Sequence, residues 1–95
     1  MAKYEALFMV RPDMAENDTK ALVQHITDAV TKNGGEVASA AQWAERRKLY
    51  FPVKKFREAV YYLVEFTMDS TAVHKIQAQY RLNEDILRSM IIRLD

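Results

Sequence analysis

Two hydrophobic periods alternate along this chain, and their order limits the available folds more than any other feature. Apolar residues at every second position mark a strand, whose successive side chains point to opposite faces. Apolar residues three and four apart mark one stripe of a helix. Lys3 to Val10 carries Tyr4, Ala6, Phe8 and Val10 on one side and reads as a strand. Arg11-Pro12-Asp13 stops it. Asp13 or the Asn17-Asp18-Thr19 cluster is expected to cap the next element, because these side chains accept hydrogen bonds from free helical N–H groups. From Thr19 to Asn33, Leu22, Val23, Ile26, Ala29 and Val30 form one face of an amphipathic helix. Gly34-Gly35 ends it, since glycine takes the left-handed conformation without a Cβ clash.

The second half repeats the pattern. Glu36 to Val53 is extended in character, and Pro52, which has no N–H to give a ladder, places this strand at the sheet edge or turning away from it. Lys54-Lys55-Phe56-Arg57-Glu58 is a charged turn. Ala59 to Thr67 is the strongest strand signal, with Val60, Tyr62, Val64 and Phe66 facing one way and Tyr61, Leu63 and Glu65 the other. Asp69-Ser70-Thr71 caps a second helix carrying Ala72, Val73, Ile76 and Tyr80. Asn83-Glu84-Asp85 breaks it, and Ile86 to Leu94 is the last strand.

Strand, helix, strand, strand, helix, strand with right-handed crossovers gives an α+β, ferredoxin-like split βαβ fold. Its four-stranded antiparallel sheet carries both helices on one face, in a single domain over residues 1–95. The other face has no helix left to cover it, and an open apolar face usually means a macromolecular partner.

Charge sharpens this reading. The net charge is only +1, yet residues 46–57 hold six Lys/Arg and no acid. Residues 1–45 hold four Lys/Arg against seven Asp/Glu, and residues 58–95 four against six. A near-neutral chain with its positive charge gathered in one segment has the pattern of a local anion-binding surface. Cysteine is absent, which removes disulfides and thiolate chemistry and fits a reducing compartment. The amino terminus lacks signal-peptide organisation, and the longest apolar run, Val60 to Val64, is too short to span a bilayer. A soluble, cytoplasmic protein is expected.

Catalytic constellations are not apparent. His25 and His74 each sit inside a predicted helix without ligand-spaced companions, so a surface or half-buried role outweighs a metal site. Ser39, Ser70 and Ser89 lack a nucleophile-elbow context, and the two glycines make no phosphate loop. Asp13, Asp18, Glu84 and Asp85 fall where caps and turns belong. No enzyme activity, metal, cofactor or small-molecule substrate is expected.

The basic segment is different. Arg46, Arg47, Lys48, Lys54, Lys55 and Arg57 are interleaved with Trp43, Tyr50, Phe51 and Phe56. Lys and Arg neutralise phosphates, and neighbouring aromatics suit unstacked bases or a partner's apolar side chains. The alternative is a solvated hairpin whose charges protect an exposed edge from aggregation. A thinner basic set comprises Lys3, Arg88 and Arg93. Lys3 and Arg88 lie on neighbouring strands and are expected to cooperate, whereas Arg88 and Arg93 point to opposite faces. Tyr62 keeps step with the core positions, so Tyr61 is the candidate for the open face.

At this point the residues resemble the small-subunit ribosomal protein S6 family. The resemblance is carried by Tyr4-Glu5 with the Arg11-Pro12-Asp13 stop, by Gly34-Gly35, and by Trp43 followed by Arg46-Arg47-Lys48-Leu49 and Phe51-Pro52. The stretch Val53 to Tyr62 is the closest match, and Asn83-Glu84-Asp85-Ile86-Leu87-Arg88 also fits. The resemblance implies a structural constituent of the small ribosomal subunit that pairs with ribosomal protein S18 and binds the central domain of 16S-type rRNA. The chain is expected to be a monomer when free, and the ribosome bacterial or organellar. Implied rRNA contacts are Lys3, Arg46, Arg47, Lys48, Lys54 and Arg88; implied partner contacts are Trp43, Tyr50, Phe51 and Tyr61. Ala44-Glu45 departs from the family's usual Gly plus basic residue, and the spacing from Trp43 to Pro52 is one residue long, which a β-bulge would absorb. The sequence stops at Asp95 without a polar tail, so tail contacts are expected to be absent.

Rival readings on the same fold lack their residues. An acylphosphatase needs an arginine in a glycine-rich loop where Arg11-Pro12-Asp13 stands. An RNA-recognition motif needs RNP aromatics on its first and third strands. A dimeric α/β-barrel oxygenase would close the open face against a second copy, and a ligand-sensing module would accompany a catalytic domain.

Overall fold

The computed structural model describes residues 1–43 and 47–95. In chain order it forms β1 (Ala2–Val10), α1 (Glu16–Lys32), β2 (Glu36–Val53), β3 (Phe56–Met68), α2 (Val73–Leu82) and β4 (Ile86–Arg93), with a 3-10 turn at Ser70–Ala72 leading into α2. The strands make one antiparallel sheet in the order β2-β3-β1-β4. This is the expected split βαβ arrangement, and the strand carrying Pro52 is an edge strand, where a missing donor leaves no partner unsatisfied.

The period-two pattern of β1 becomes its packing. Ala2, Tyr4, Ala6, Phe8 and Val10 are buried, and the register sets Tyr4 opposite Phe66, Ala6 opposite Val64 and Phe8 opposite Tyr62. Leu22, Ile26, Ala29 and Val30 of α1 join the same cluster as Ile76 and Tyr80 of α2, so both helices cover this one face. Burying a side chain the size of Phe8 or Ile26 contributes roughly 1.5–3 kcal/mol. Tyr80 ties the layer together: its ring meets Phe8 edge-on at 4.8 Å, and its hydroxyl donates to the Ile26 carbonyl at 2.7 Å. Burial pushes the Tyr80 phenol well above its ordinary value, so it remains a donor.

Three local expectations need correction. Helix α1 begins at Glu16, three residues before the predicted Thr19, and neither Asp13 nor the Asn17-Asp18-Thr19 cluster caps it. The N-cap position is Ala15, which has no side-chain acceptor. Thr19 Oγ1 instead donates to the Ala15 carbonyl at 3.1 Å, and Asp13 is taken by the Arg11 guanidinium at 2.7 Å. Glu16 and Asp18 in the first turn still oppose the positive end of the helix. The charged turn is also shorter than read: only Lys54 and Lys55 separate β2 from β3. Asp69 caps the 3-10 turn rather than α2 itself, whose N-cap position is Ala72 with no side-chain bond; it accepts from the Thr71 N–H at 3.0 Å, and this bond holds its carboxyl below the usual range.

The Gly34-Gly35 pair divides its work. Gly34 takes the left-handed conformation that ends α1, with φ 84°. Gly35 is needed for closeness: a Cβ there would lie 2.7 Å from Val30 Cγ1 and 2.8 Å from the Thr67 carbonyl oxygen.

Candidate functional site: the helix-free sheet face and its cationic hairpin

The odd-numbered positions of β1 and β3 point away from both helices. Leu7 lies between Leu63 and Met90, Met9 between Tyr61 and Arg88, and Glu5 between Glu65 and Ile92. Leu7, Met9, Tyr61 and Leu63 are half-buried, while Met90 and Ile92 are 51% and 49% exposed. Trp43 of β2 is 62% exposed and stands edge-on to Tyr61, with ring centroids 6.0 Å apart. Two of the four residues assigned to partner contact, Trp43 and Tyr61, are therefore one aromatic unit on this face. Tyr62 belongs to the other side and packs against the core, as its phase required.

The β2–β3 hairpin extends this face. Its loop is two residues, Lys54 and Lys55, closed by Val53 opposite Phe56. Both lysines have positive φ, 49° and 72°. That is the backbone of a type I′ turn, which normally favours Asn-Gly. Lys54 reaches across to donate from Nζ to the Ile86 carbonyl at 2.9 Å. Phe56 sits under the Arg11 guanidinium, 4.9 Å from the ring centroid. Arg11 is itself fixed by Asp13 and Asp85, whose hydrogen bonds push its already high pKa upward.

The pairing of β2 slips more than the expected single bulge. Five steps from Gln42 to Arg47 span only three on β3, from Tyr62 to Ala59, and another shift lies between Val37 and Ser39. Farther out, Leu49 to Pro52 all stand opposite Arg57, between the Lys48–Glu58 and Val53–Phe56 pairs. Extra residues on one strand must bend outward. This throws Tyr50 (101% exposed) and Phe51 (79%) into solvent, apart from the Trp43–Tyr61 pair.

The predicted cations do not form one cluster. Arg47 stands opposite Ala59 on the helix-free side, and Lys48, opposite Glu58, turns the other way. Arg46 lies outside the described residues. Arg88 is exposed on the open face opposite Met9, whereas Lys3 pairs with Thr67 near the far end of the same sheet. Six strand residues, roughly 20 Å, separate them, so the expected cooperation of Lys3 with Arg88 fails. Neighbouring strands share an edge, but an antiparallel register decides which ends meet. Lys3 instead gives its N–H to the Asp95 carboxylate at 3.3 Å. Arg93 points to the face opposite Arg88, as expected, with its guanidinium on Asp95 at 3.4 Å. Sequence reasoning missed Arg81, in the last turn of α2, which lines a notch with Lys54, Arg88 and Ser89. Its helical position gave no sign of these neighbours.

A larger cavity lies elsewhere, a groove of about 480 Å³ beside α1 lined by Arg11, Asp13, Asp18, His25 and Asp85. Its arginine is occupied by two carboxylates, and no nucleophile stands beside His25 there. Among the described residues no group of three or more His, Cys, Asp or Glu is placed to hold a metal, and no helix is long and apolar enough to cross a membrane.

Comparison with known proteins agrees with the geometry. The sequence model of the family Ribosomal protein S6 matches residues 3–93. The small ribosomal subunit protein bS6 of Moorella thermoacetica is 35% identical over 95 residues, spanning 100% of this chain and 96% of that protein. The crystal structure of 30S ribosomal protein S6 from Thermotoga maritima superposes with a TM-score of 0.88 at 23% identity, over 98% of this chain and 87% of that one. At that identity the superposition speaks for the fold.

Proposed function

The chain belongs to the ribosomal protein S6 family, non-enzymatic proteins of the small ribosomal subunit, and from that premise we propose that it binds the central domain of small-subunit rRNA jointly with ribosomal protein S18. One observation carries the reading: an apolar sheet face without a helix over it, bearing the Trp43–Tyr61 pair, is continuous with a hairpin rich in cations and exposed aromatics. Apolar surface suits a protein partner, and cations beside it suit phosphates.

In this reading Trp43 and Tyr61 receive an apolar segment of S18, and Tyr50 and Phe51 extend the contact along the outward-bent edge. Arg46, Arg47, Lys48, Lys54 and Arg88 contact the RNA backbone, and Lys3 makes a separate contact near the start of β1. A net charge of +1 gives the lone chain little long-range attraction for RNA, so the partner supplies the remaining cations. The free protein is a monomer in this scheme.

The test is binding to a central-domain rRNA fragment, with and without S18, across a salt series. Weak binding by the chain alone is expected. Addition of the partner raises affinity at least about tenfold, with a steep fall as salt rises. Trp43→Ala combined with Tyr61→Ala removes the partner's effect while the fold persists. Tight, salt-independent binding by the lone chain would overturn the mechanism.

A further inference from the structure

The β2–β3 hairpin overhangs the sheet. Pairing of β3 with β1 ends at Val60–Val10, so among the described residues positions 56–59 of β3 have only β2 beside them, an overhang of roughly 13 Å. A two-stranded ribbon is marginal in water on its own. This one nevertheless carries Tyr50 and Phe51, whereas Tyr61, with Trp43 against it, stands where β3 still pairs with β1. We propose that Arg11 and Lys54 are positioning residues that hold the overhang in one direction, so that its exposed aromatics meet a protein partner already placed. The inference rests on the ribosomal reading for that partner, S18.

Two ties fix the ribbon, and both end on consecutive residues of the α2–β4 turn. On one side the Arg11 guanidinium lies over the Phe56 ring, 4.9 Å from its centroid, and Phe56 closes the hairpin opposite Val53. That guanidinium is itself anchored. Nη1 donates to Asp85 at 3.3 Å, Nε and Nη2 donate to Asp13 at 2.7 and 3.0 Å, and the Arg11 backbone N–H donates to the Asp85 carbonyl at 3.0 Å. On the other side Lys54 Nζ donates to the Ile86 carbonyl at 2.9 Å. The turn that receives both ties is braced by Asn83, whose Oδ1 accepts from the Asp85 N–H at 2.9 Å and whose carbonyl accepts from the Ile86 N–H at 3.3 Å. Two anchors, unlike one, remove rotation about the point of attachment. Lys54 keeps two further N–H donors, so its tie leaves the proposed RNA contact open.

Ordering a ribbon before it binds lowers the entropy lost on association. A loosened hairpin is competent only part of the time, and apparent affinity falls by that fraction. Lower global stability has no such effect while the chain stays folded, which separates positioning from a merely structural role.

The experiment measures S18 affinity without RNA, beside NMR order parameters of the free chain, for wild type, Arg11→Gln and Lys54→Asn. Asn suits the left-handed position of Lys54, where φ is 49°. Each variant should weaken S18 binding about threefold to tenfold and lower the order parameters of Tyr50, Phe51 and Lys55 from about 0.85 toward 0.6. Gly34→Ala, at the other end of the sheet, should leave affinity unchanged. With Tyr50→Ala and Phe51→Ala already in place, Arg11→Gln should change affinity less than about twofold, because the residues it positions are gone.

If wild type binds S18 and Arg11→Gln binds it equally well, the positioning role is wrong and the ribosomal reading stands. A full loss from Arg11→Gln in the Tyr50→Ala, Phe51→Ala background would also overturn it, since Arg11 would then act elsewhere. No S18 binding by wild type, with the hairpin loosened in both variants, would keep the ties and remove the partner reading. Neither binding nor loosening would overturn both.

Discussion

The helix-covered face of the sheet and the β2–β3 hairpin are built partly from the same strand, and they treat local rules in opposite ways. On the covered face alternation becomes burial position by position, aromatic rings meet edge-on, and no buried side-chain polar atom among the described residues lacks a partner. In the hairpin two lysines occupy a glycine-favouring conformation, the register slips repeatedly, and Tyr50 and Phe51 face water. Consistency across levels is what specifies a fold, and departures from it concentrate where a surface serves something other than stability. The contrast separates the part of the molecule that folds from the part proposed to recognise.

The comparison predicts a wide gap in stability effects. Phe8→Ala empties a fully buried site beneath Tyr80 and should cost about 3–5 kcal/mol in urea denaturation. Leu63→Ala, half-buried across β1 from the helices, should cost no more than about 1–2 kcal/mol. Equal losses would mean that the open face is a second core, and the division would break.

A smaller effect sharpens the covered side. Gly35→Ala must relieve two clashes at once, one with the Val30 side chain and one with the Thr67 main chain. A destabilisation of about 1–3 kcal/mol is expected. Gly34→Ala meets no atom within 4 Å, so its cost of about 1 kcal/mol would come from the left-handed backbone alone. A Gly35→Ala protein as stable as wild type would show that the turn into β2 is not packed as tightly as its geometry requires.

Much of this division was legible in the chain, and what was not has a physical reason. Periodicity located every strand and helix, and β2 began and ended where its composition did, because these features depend on neighbours in sequence. The start of α1 was misplaced because its first residues, Glu16-Asn17-Asp18, are polar and add nothing to the apolar stripe that marks a helix. The separation of Lys3 from Arg88 depended on register, which no single strand encodes. Arg81 read only as a basic residue favourable at a helix end, and its approach to Lys54 and Arg88 arises from how α2 and the hairpin meet β4. The candidate residues were mostly found by charge and aromaticity; how they group was not.

The smallest predicted effect has the opposite sign and bears most directly on the hairpin. Lys55 has φ 72°, a conformation that costs an L-residue roughly 1–2 kcal/mol and glycine nothing. Glycine gives back part of this through the greater freedom of its unfolded chain, so Lys55→Gly should stabilise by a net of about 0.5 kcal/mol. For a domain of this size that is a rise of about 2–4 °C in Tm, readable by calorimetry. A gain would mean that the turn carries strain for the sake of its cationic side chains. A loss would place Lys55 among the contacts that hold the hairpin together, and the line between folding and recognising surfaces would then have to be drawn beyond the turn.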